Sequence, residues 1–160
     1  ETVIAVNDQR KRQMAERIVG ICGGSVAGRT VAILGLTFKP NTDDMRDAPS
    51  LAIVPALLEQ DAVVRVFDPE GMDEARKLLD GVTWCGSAYE TVEGADVLVV
   101  LTEWNEFRAL DLARVKALMR APVICDLRNI YNPAQMAAAG FHYTSIGRPA
   151  IHPAEAVTEP

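Results

Sequence analysis

The chain has 160 residues, of which 49% are apolar and 24% are charged, and it carries a formal net charge of −6 and three cysteines. This composition is typical of one globular domain and excludes a disordered tail, a collagen-like repeat and a disulfide-stapled mini-protein. The acidic balance argues against a dedicated nucleic-acid-binding protein, and three widely spaced cysteines favour a reducing, cytoplasmic setting over a disulfide framework.

The first predicted element is a helix over residues 4–22, in which Met14, Ile18 and Ile21 recur at helical spacing on one face. The pair Gly23-Gly24 ends it, because consecutive glycines form helices poorly and cap them well. We expect this helix to dock on the domain that follows or to link it to a preceding domain. The chain does not begin with methionine, as is expected of a processed chain or of a fragment of a longer protein.

After this helix, short apolar segments alternate with segments of helical periodicity. Strands are predicted at residues 30–34, 63–67, 82–84, 97–101, 123–126 and 141–144, and helices at residues 48–60, 72–79, 89–92, 112–119 and 133–139. This alternation predicts an α/β fold, namely a Rossmann-like, doubly wound, mostly parallel sheet preceded by one long N-terminal helix. The apolar runs are too short for a membrane span, and the proline-rich residues 149–160 are predicted to be a loose tail.

The loop after the first predicted strand, residues 35–49, is the first candidate for a ligand site. In an open parallel sheet, ligands bind beyond the carboxyl ends of the strands, and long loops there tend to be functional. The G-x-G-x-x-G pattern of a dinucleotide site is absent, since only Gly35 is present. Lys39 and Arg46 stand among acidic residues, so the loop either contacts a phosphate or carboxylate or is a solvated loop with local ion pairs.

Three further positions follow predicted strands, and each has a structural alternative. Asp68 either contacts a ribose hydroxyl, as in many Rossmann folds, or forms a turn, which is the interpretation we favour. Trp104 and Phe107 are predicted to pack a short helix onto the sheet rather than to stack on a base. Arg128 either binds a phosphate or carboxylate through two donors, or pairs with Asp126 or with the acidic loop.

No catalytic or metal-binding pattern is evident in the sequence. His142 and His152 are isolated, and neither a Ser-His-Asp nor a Cys-His arrangement can be argued. Cys22 lies beside glycines, as some catalytic cysteines do. It falls on the apolar face of the first helix, however, and is therefore predicted to be a structural thiol.

The segment Gly35-Leu-Thr-Phe-Lys-Pro-Asn-Thr-Asp-Asp-Met-Arg-Asp-Ala-Pro-Ser50 resembles the hallmark of the C-terminal domain of the UDP-glucose/GDP-mannose dehydrogenase family. Further matching segments follow in order: Phe67-Asp-Pro69, Thr102-Glu-Trp-Asn-Glu-Phe-Arg108, Asp126-Leu-Arg-Asn-Ile-Tyr131 and Phe141-His-Tyr-Thr-Ser-Ile-Gly-Arg148. Val6, Asn7 and Gln9 resemble the end of the long central helix that joins the two halves of family members. The resemblance spans residues 3–148 and is strongest to the bacterial branch that oxidises UDP-glucose.

This resemblance implies part of an NAD-dependent oxidoreductase that converts UDP-glucose to UDP-glucuronate by two hydride transfers and the uptake of water. The family's cysteine nucleophile lies in a Gly-Gly-x-Cys-x-Pro-Lys-Asp motif, and this chain contains neither that motif nor the N-terminal NAD-binding fold. We therefore expect no catalytic residue in the chain, and we expect NAD to be held mainly by an N-terminal domain of the same parent chain.

The resemblance also implies a domain organisation. Residues 1–24 correspond to the end of the central dimerisation helix, residues 25–148 to the UDP-sugar-binding domain and residues 149–160 to the tail. The expected partners are UDP-glucose or UDP-glucuronate, the N-terminal domain, and a second copy of the chain bound through the helix. Neither a nucleic acid nor a membrane is an expected partner.

Positions in the matching motifs imply the roles of four site residues. Phe38 and Lys39 resemble contacts of the nucleotide sugar, Arg128 resembles a substrate-contacting arginine, and Arg46 resembles an arginine that reaches the cofactor NAD across the domain cleft. Lys39 is expected to be the main charged contact with UDP. The alternatives are a related dehydrogenase acting on GDP-mannose or UDP-N-acetylmannosamine, a non-catalytic nucleotide-binding module, and an oligomer scaffold.

Overall fold

The computed structural model describes the backbone of residues 2–153 and the side chains of residues 9–153. It begins with the predicted helix, α1 (Thr2–Ile21), whose apolar face buries Ile18 completely against the sheet domain. The helix ends where Gly23 and Gly24 take φ angles of +86° and +100°, which are readily accessible to glycine. The resemblance noted at Val6 and Asn7 concerns side chains outside the described residues.

Within residues 2–153, seven strands form one sheet, and α1 packs against it. They are β1 (Thr30–Leu34), β2 (Val63–Phe67), β3 (Thr83–Trp84), β4 (Val97–Val100), β5 (Val123–Asp126), β6 (His142–Ser145) and β7 (Arg148–Ile151). Their order is β3-β2-β1-β4-β5-β6-β7, and all neighbours are parallel except β6 and β7. The predicted Rossmann-like, mostly parallel sheet is thereby confirmed.

Short helices connect the parallel strands. They are α2 (Ser50–Glu59), α3 (Met72–Arg76), α4 (Ala88–Val92), α5 (Asn105–Arg108), α6 (Leu112–Leu118) and α7 (Pro133–Ala138). Three of them begin at a side chain that accepts a hydrogen bond from the backbone N–H three residues later, and these residues are Ser87, Asp111 and Asn132. Such caps stabilise helices of this length, which are marginal in isolation.

The core has two parts, one on each face of the sheet. Along β1, Val31 and Ile33 belong to one apolar cluster, which α1 and α2 cover. Ala32 and Leu34 belong to the other, which includes residues of α4, α6 and α7. Burial on both faces explains why β1 and β4 are almost uniformly apolar in sequence.

The C-terminal segment differs from the prediction of a loose tail from residue 149. Residues 149–151 belong to β7, which pairs antiparallel with β6 after the turn at Ile146 and Gly147, where Gly147 has a φ of +70°. Pro149 suggested a loop, but proline is tolerated on an edge strand, where its missing N–H removes no ladder hydrogen bond. Residues 154–160 lie outside the described residues.

The sheet order determines where ligands can approach. The chain reverses direction across the sheet between β1 and β4, and the crevice at such a switch point is the usual ligand site of open α/β folds. Leu34 pairs with Phe67 and with Val100, so the loops after β1, β2 and β4 start at one edge. None of the helices in residues 2–153 is both long and apolar enough to cross a membrane.

Candidate functional site

The loop after β1 is held in place by the carboxylate of Asp68, at the end of β2. One carboxylate oxygen accepts hydrogen bonds from the backbone N–H groups of Leu36 and Thr37 at 2.7 and 3.1 Å and from the indole Nε1 of Trp104 at 3.2 Å. The other accepts from the backbone N–H groups of the turn that follows, including Gly71 at 2.8 Å. Asp68 therefore forms a turn, as predicted, and its hydrogen bonds also connect the loops after β1, β2 and β4.

The switch point itself is closed by direct contact between the loops after β1 and β4. Gly35 has a φ of +96°, and a Cβ built on it would lie 2.5 Å from Cβ of Thr102. The hydroxyl of Thr102 donates to the carbonyl oxygen of Thr37 at 2.8 Å. The residues after Gly35 also lack the further glycines that let the backbone approach a pyrophosphate in dinucleotide-binding Rossmann folds, and they do not fit a dinucleotide there.

Beyond Thr37 the loop turns outward and presents Phe38, whose surface is 46% exposed. The Phe38 N–H donates to the carbonyl oxygen of Asp44 at 3.0 Å, which closes the loop on itself. Asn41 and Asp47 have φ angles of +65° and +59°, conformations that L-residues seldom adopt. Residues held in such conformations cluster at ligand sites, which supports a functional role for this loop.

The loop after β5 is organised by a second buried carboxylate, Asp126. It accepts hydrogen bonds from the backbone N–H groups of Arg128 at 3.1 Å and Tyr131 at 3.0 Å, and from the hydroxyl of Tyr143 at 2.6 Å. Nη2 of Arg128 lies 2.8 and 2.6 Å from the two carboxylate oxygens of Glu103, in the loop after β4. Arg128 therefore pairs with Glu103, and not with either of the partners that the sequence suggested.

A cleft of about 360 Å³ lies where these two loops face α1. Phe38, Asp47 and Pro49 line it from the β1 loop, and Arg128 lines it from the β5 loop. Its remaining lining residues are Arg10, Lys11 and Met14 of α1. The cleft combines an exposed aromatic ring with several cationic side chains, which is an arrangement suited to a ligand that carries both a ring and a negative charge.

The four predicted site residues are distributed over two surfaces. Phe38 and Arg128 line the same cleft, whereas Lys39 is exposed and does not line it. Arg46 lines a separate depression of about 580 Å³ and forms a bidentate pair with Asp44, at 3.1 and 3.0 Å. That pair lowers the pKa of Asp44 to about 2, chiefly through the hydrogen bonds that the guanidinium donates.

Several residues of this region were not identified from the sequence. Glu103 is one; burial opposes its ionisation, but its hydrogen bonds and the positive charges of Arg128 and Arg108 together outweigh burial, and its pKa lies below the ordinary value. Arg10 and Lys11 are others, because a helix that precedes the sheet gave no indication of facing the loops. Asp126 was noticed only as a partner for Arg128, although a single acid after a buried strand signals a loop anchor.

The remaining predictions concern aromatic and thiol groups. Phe107 is fully buried and Trp104 is 7% exposed, so both pack α5 onto the sheet, as predicted. Cys22 is half-buried against the core, and burial raises its pKa, which favours an unreactive thiol. Within residues 9–153, the structure places no group of three or more His, Cys, Asp or Glu side chains where they could hold a metal ion.

Comparisons with protein families and with curated proteins identify relatives of this chain. Residues 32–133 match the model of the UDP-binding domain of the UDP-glucose/GDP-mannose dehydrogenase family. The chain is 54% identical over 149 residues to a UDP-glucose 6-dehydrogenase of Rhizobium meliloti (strain 1021), covering 93% of this chain and 34% of that protein. It is 40% identical over 156 residues to the UDP-glucose 6-dehydrogenase TuaD of Bacillus subtilis (strain 168), covering 97% and 34%.

Solved structures show the same relationship. A UDP-glucose dehydrogenase from the archaeon Pyrobaculum islandicum superposes with a TM-score of 0.63 at 32% identity, over 74% of this chain and 26% of the other. The NDP-N-acetyl-D-galactosaminuronic acid dehydrogenase of Methanosarcina mazei Go1 superposes with a TM-score of 0.73 at 29% identity, over 88% and 29%. The chain spans about a third of the length of the curated relatives it matches.

Proposed function

Because this chain belongs to the UDP-glucose/GDP-mannose dehydrogenase family, we propose that it forms the UDP-sugar-binding part of a UDP-glucose 6-dehydrogenase. The whole protein would oxidise UDP-glucose to UDP-glucuronate, taking up one water and passing two hydrides to NAD. The names of the relatives at 54% and 40% identity favour UDP-glucose over GDP-mannose or UDP-N-acetylmannosamine as the substrate.

The observation that carries this proposal is the cleft beside the closed switch point. Its wall combines Phe38, from the motif after β1, with Arg128, from the motif after β5, and both lie within the segment that matches the UDP-binding model. A cleft of about 360 Å³ falls within the range of small-molecule sites, roughly 300–1,000 Å³. The residues of this cleft support binding of a nucleotide, and none of them is proposed to take part in hydride transfer.

Four residues receive proposed roles at this site. Phe38 packs against the uracil or ribose, and Arg128 donates to a phosphate through nitrogen atoms other than the one that Glu103 holds. Lys39 reaches the nucleotide sugar from the edge of the loop. Arg46 serves the other surface of the loop and points toward an NAD molecule that the rest of the parent protein holds.

NAD is assigned to the remainder of the protein for a physical reason. The loop after β1 lacks the second and third glycines that bring the backbone onto a pyrophosphate in dinucleotide-binding Rossmann folds. We therefore propose that this chain's partners are UDP-glucose, the NAD-binding domain of the same parent protein, and a second copy bound through α1. Three unpaired cysteines and an NAD-linked reaction favour the cytoplasm as its location.

This proposal can be tested by titrating the 160-residue chain with UDP and recording the NMR chemical shifts of its backbone amides. We expect UDP to shift the amides around Phe38 and Arg128 with millimolar affinity, and GDP to bind more weakly. Lys39→Ala is expected to weaken UDP binding by about 1.5–3 kcal/mol, the range for a hydrogen bond to a charged group. Lys77→Ala is the matched control, because Lys77 is exposed on α3 and pairs with Glu74.

Two results would contradict parts of the proposal separately. If UDP shifts no amide, the domain does not bind the nucleotide as proposed. If UDP binds but the Lys39→Ala chain binds it as tightly as the wild type, the cleft is the site and Lys39 has no part in it.

A further inference from the structure

Helix α1 contributes one wall of the cleft, and this wall is not part of the motifs that identify the family. Arg10 and Met14 stand four residues apart, on one face of the helix, and Lys11 lies beside them. Met14 and Lys11 are half-buried, while Arg10 is exposed at the rim. This wall of the cleft therefore presents one apolar side chain, Met14, and two cationic side chains, Arg10 and Lys11.

The cationic side chains that line the cleft differ in whether a carboxylate pairs with them. The guanidinium of Arg128 pairs with Glu103 at 2.6 Å, and that of Arg46, outside the cleft, pairs with Asp44 at 3.0 Å. Among the residues whose side chains the structure describes, neither Arg10 nor Lys11 forms a hydrogen bond or an ion pair. Among residues 9–153, Asp47 is the one acidic residue that lines the cleft.

This difference in pairing affects how strongly each cation attracts an anionic ligand. A phosphate that approaches Arg128 shares that guanidinium with a carboxylate already in contact, which weakens the attraction. A phosphate that approaches Arg10 or Lys11 meets a cation without a described carboxylate partner. The chain as a whole has a net charge of −6, so this concentration of positive charge is local to the cleft.

We propose that Arg10 and Lys11 of α1 are direct contacts of the ligand's diphosphate, and that α1 thereby forms half of the nucleotide site. This inference rests on the proposed function and extends it. In this arrangement Phe38 holds the ring system from the β1 loop, while the diphosphate lies between α1 and Arg128. The helix at the start of the chain then has a ligand-binding role in addition to its packing role.

Three single substitutions on the same helix test the inference, because each removes one positive charge. They are Arg10→Gln, Lys11→Gln and Arg12→Gln, of which Arg12 is exposed and does not line the cleft. We expect the first two to weaken UDP binding about tenfold each, as is usual for a lost charge-assisted hydrogen bond, and the third to change it less than about twofold. Uridine, which carries no phosphate, should bind the wild type and all three variants alike.

The outcomes separate this inference from the function on which it rests. If UDP shifts the loop amides and all three substitutions weaken binding equally, the effect is one of overall charge and the inference is wrong. It is equally wrong if Arg10→Gln and Lys11→Gln bind UDP as the wild type does, and in both cases the proposed function stands. If UDP shifts no amide of the wild-type chain, both are overturned.

Discussion

At the level of single residues, two buried carboxylates position the loops of the site. Asp68 follows β2 and Asp126 is the last residue of β5, and both are almost inaccessible to solvent. Asp68 accepts hydrogen bonds from three loops, and Asp126 accepts them from the loop after β5 and from Tyr143 of β6. A carboxylate buried in this way is stable because both of its oxygens accept hydrogen bonds. The site's side chains are thus oriented by residues that need not touch the ligand.

Replacing Asp68 by asparagine should destabilise the domain strongly. The amide NH₂ would face N–H or O–H donors in either orientation, because both carboxylate oxygens of Asp68 accept hydrogen bonds. We expect the free energy of unfolding, measured by urea denaturation, to fall by about 3 kcal/mol or more. Asp73→Asn, at an exposed position in the first turn of α3, is the control and should lower it by less than about 1 kcal/mol.

Gly35→Ala tests the contact that closes the switch point. The substitution combines an unfavourable backbone conformation with a clash against Thr102, and we expect it to lower the free energy of unfolding by about 3 kcal/mol. Gly94→Ala is the control. Gly94 has a φ of +70°, but no atom lies within 4 Å of the Cβ that alanine would add, so this substitution introduces backbone strain without a clash. Equal losses for the two variants would show that the contact with Thr102 is unimportant.

Two tyrosines should make the fold sensitive to alkaline pH. Burial and the nearby carboxylate of Asp126 raise the pKa of Tyr131 and Tyr143 above the ordinary value of 10.0. Each stays protonated in the folded state where the unfolded chain ionises, so their contribution is complete below pH 10 and is lost as the pH rises above it. In urea denaturation at a series of pH values, the double variant Tyr131→Phe and Tyr143→Phe should lose less stability above pH 10 than the wild type does.

The sequence predicted the site only in part, and the reason differs between residues. Lys39 and Arg128 were predicted because they follow buried strands, and a parallel sheet brings strand ends to one edge, whereas Phe38 was predicted from the family resemblance. Lys39 is one residue from Phe38 but does not line the cleft, because the chain bends at these residues and the sequence does not encode which way each side chain faces. The pairing of Arg128 with Glu103 depends on the separation of two loops in space, and no local pattern encodes that separation.

At the level of elements, the buried strands were predicted closely, whereas β7 was missed. Strands β1, β2 and β5 have the predicted limits. Apolar runs mark β1 and β5, which are largely buried, whereas β2 alternates between buried and more exposed residues. β7 has neither an apolar run nor alternation, and it exists because β6 offers it a hydrogen-bonding partner. A strand defined by its neighbour is not recognisable from its own residues.

The docking of α1 can be tested at Ile18, which is fully buried between this helix and the sheet domain. Ile18→Ala should lower the free energy of unfolding by about 2–5 kcal/mol, since it leaves a cavity in a packed core. Gln13→Ala, on an exposed face of the same helix, is the control and should change it by less than about 0.5 kcal/mol. If Ile18→Ala has no effect, α1 is not held on the domain and cannot form a wall of the cleft.

At the level of the whole molecule, the two apolar clusters share one sheet, so we expect the chain to unfold in a single cooperative transition. Trp84 packs against one cluster and Trp104 belongs to the other. Tryptophan fluorescence and far-UV circular dichroism should therefore give the same urea midpoint. Separate midpoints would show that the two faces unfold independently and that the chain is not one folding unit.

The whole chain is also expected to lack oxidoreductase activity when purified alone. Its loop after β1 lacks the glycines of a dinucleotide site, and burial raises the pKa of all three cysteines, which disfavours a reactive thiolate. Incubation with UDP-glucose and NAD should produce no NADH by absorbance. Formation of NADH at a rate proportional to protein concentration would mean that the chain contains a catalytic site of its own.

The edges of the sheet have a further consequence, for solubility. Edge strands expose unpaired backbone groups that can recruit a strand from another molecule and start an aggregate. Here β3, at one edge, is only two residues long, and β7, at the other, carries Pro149, which has no N–H to offer. Neither edge provides the long, regular template that strand addition requires, so concentrated solutions of this chain should resist the growth of intermolecular β-structure.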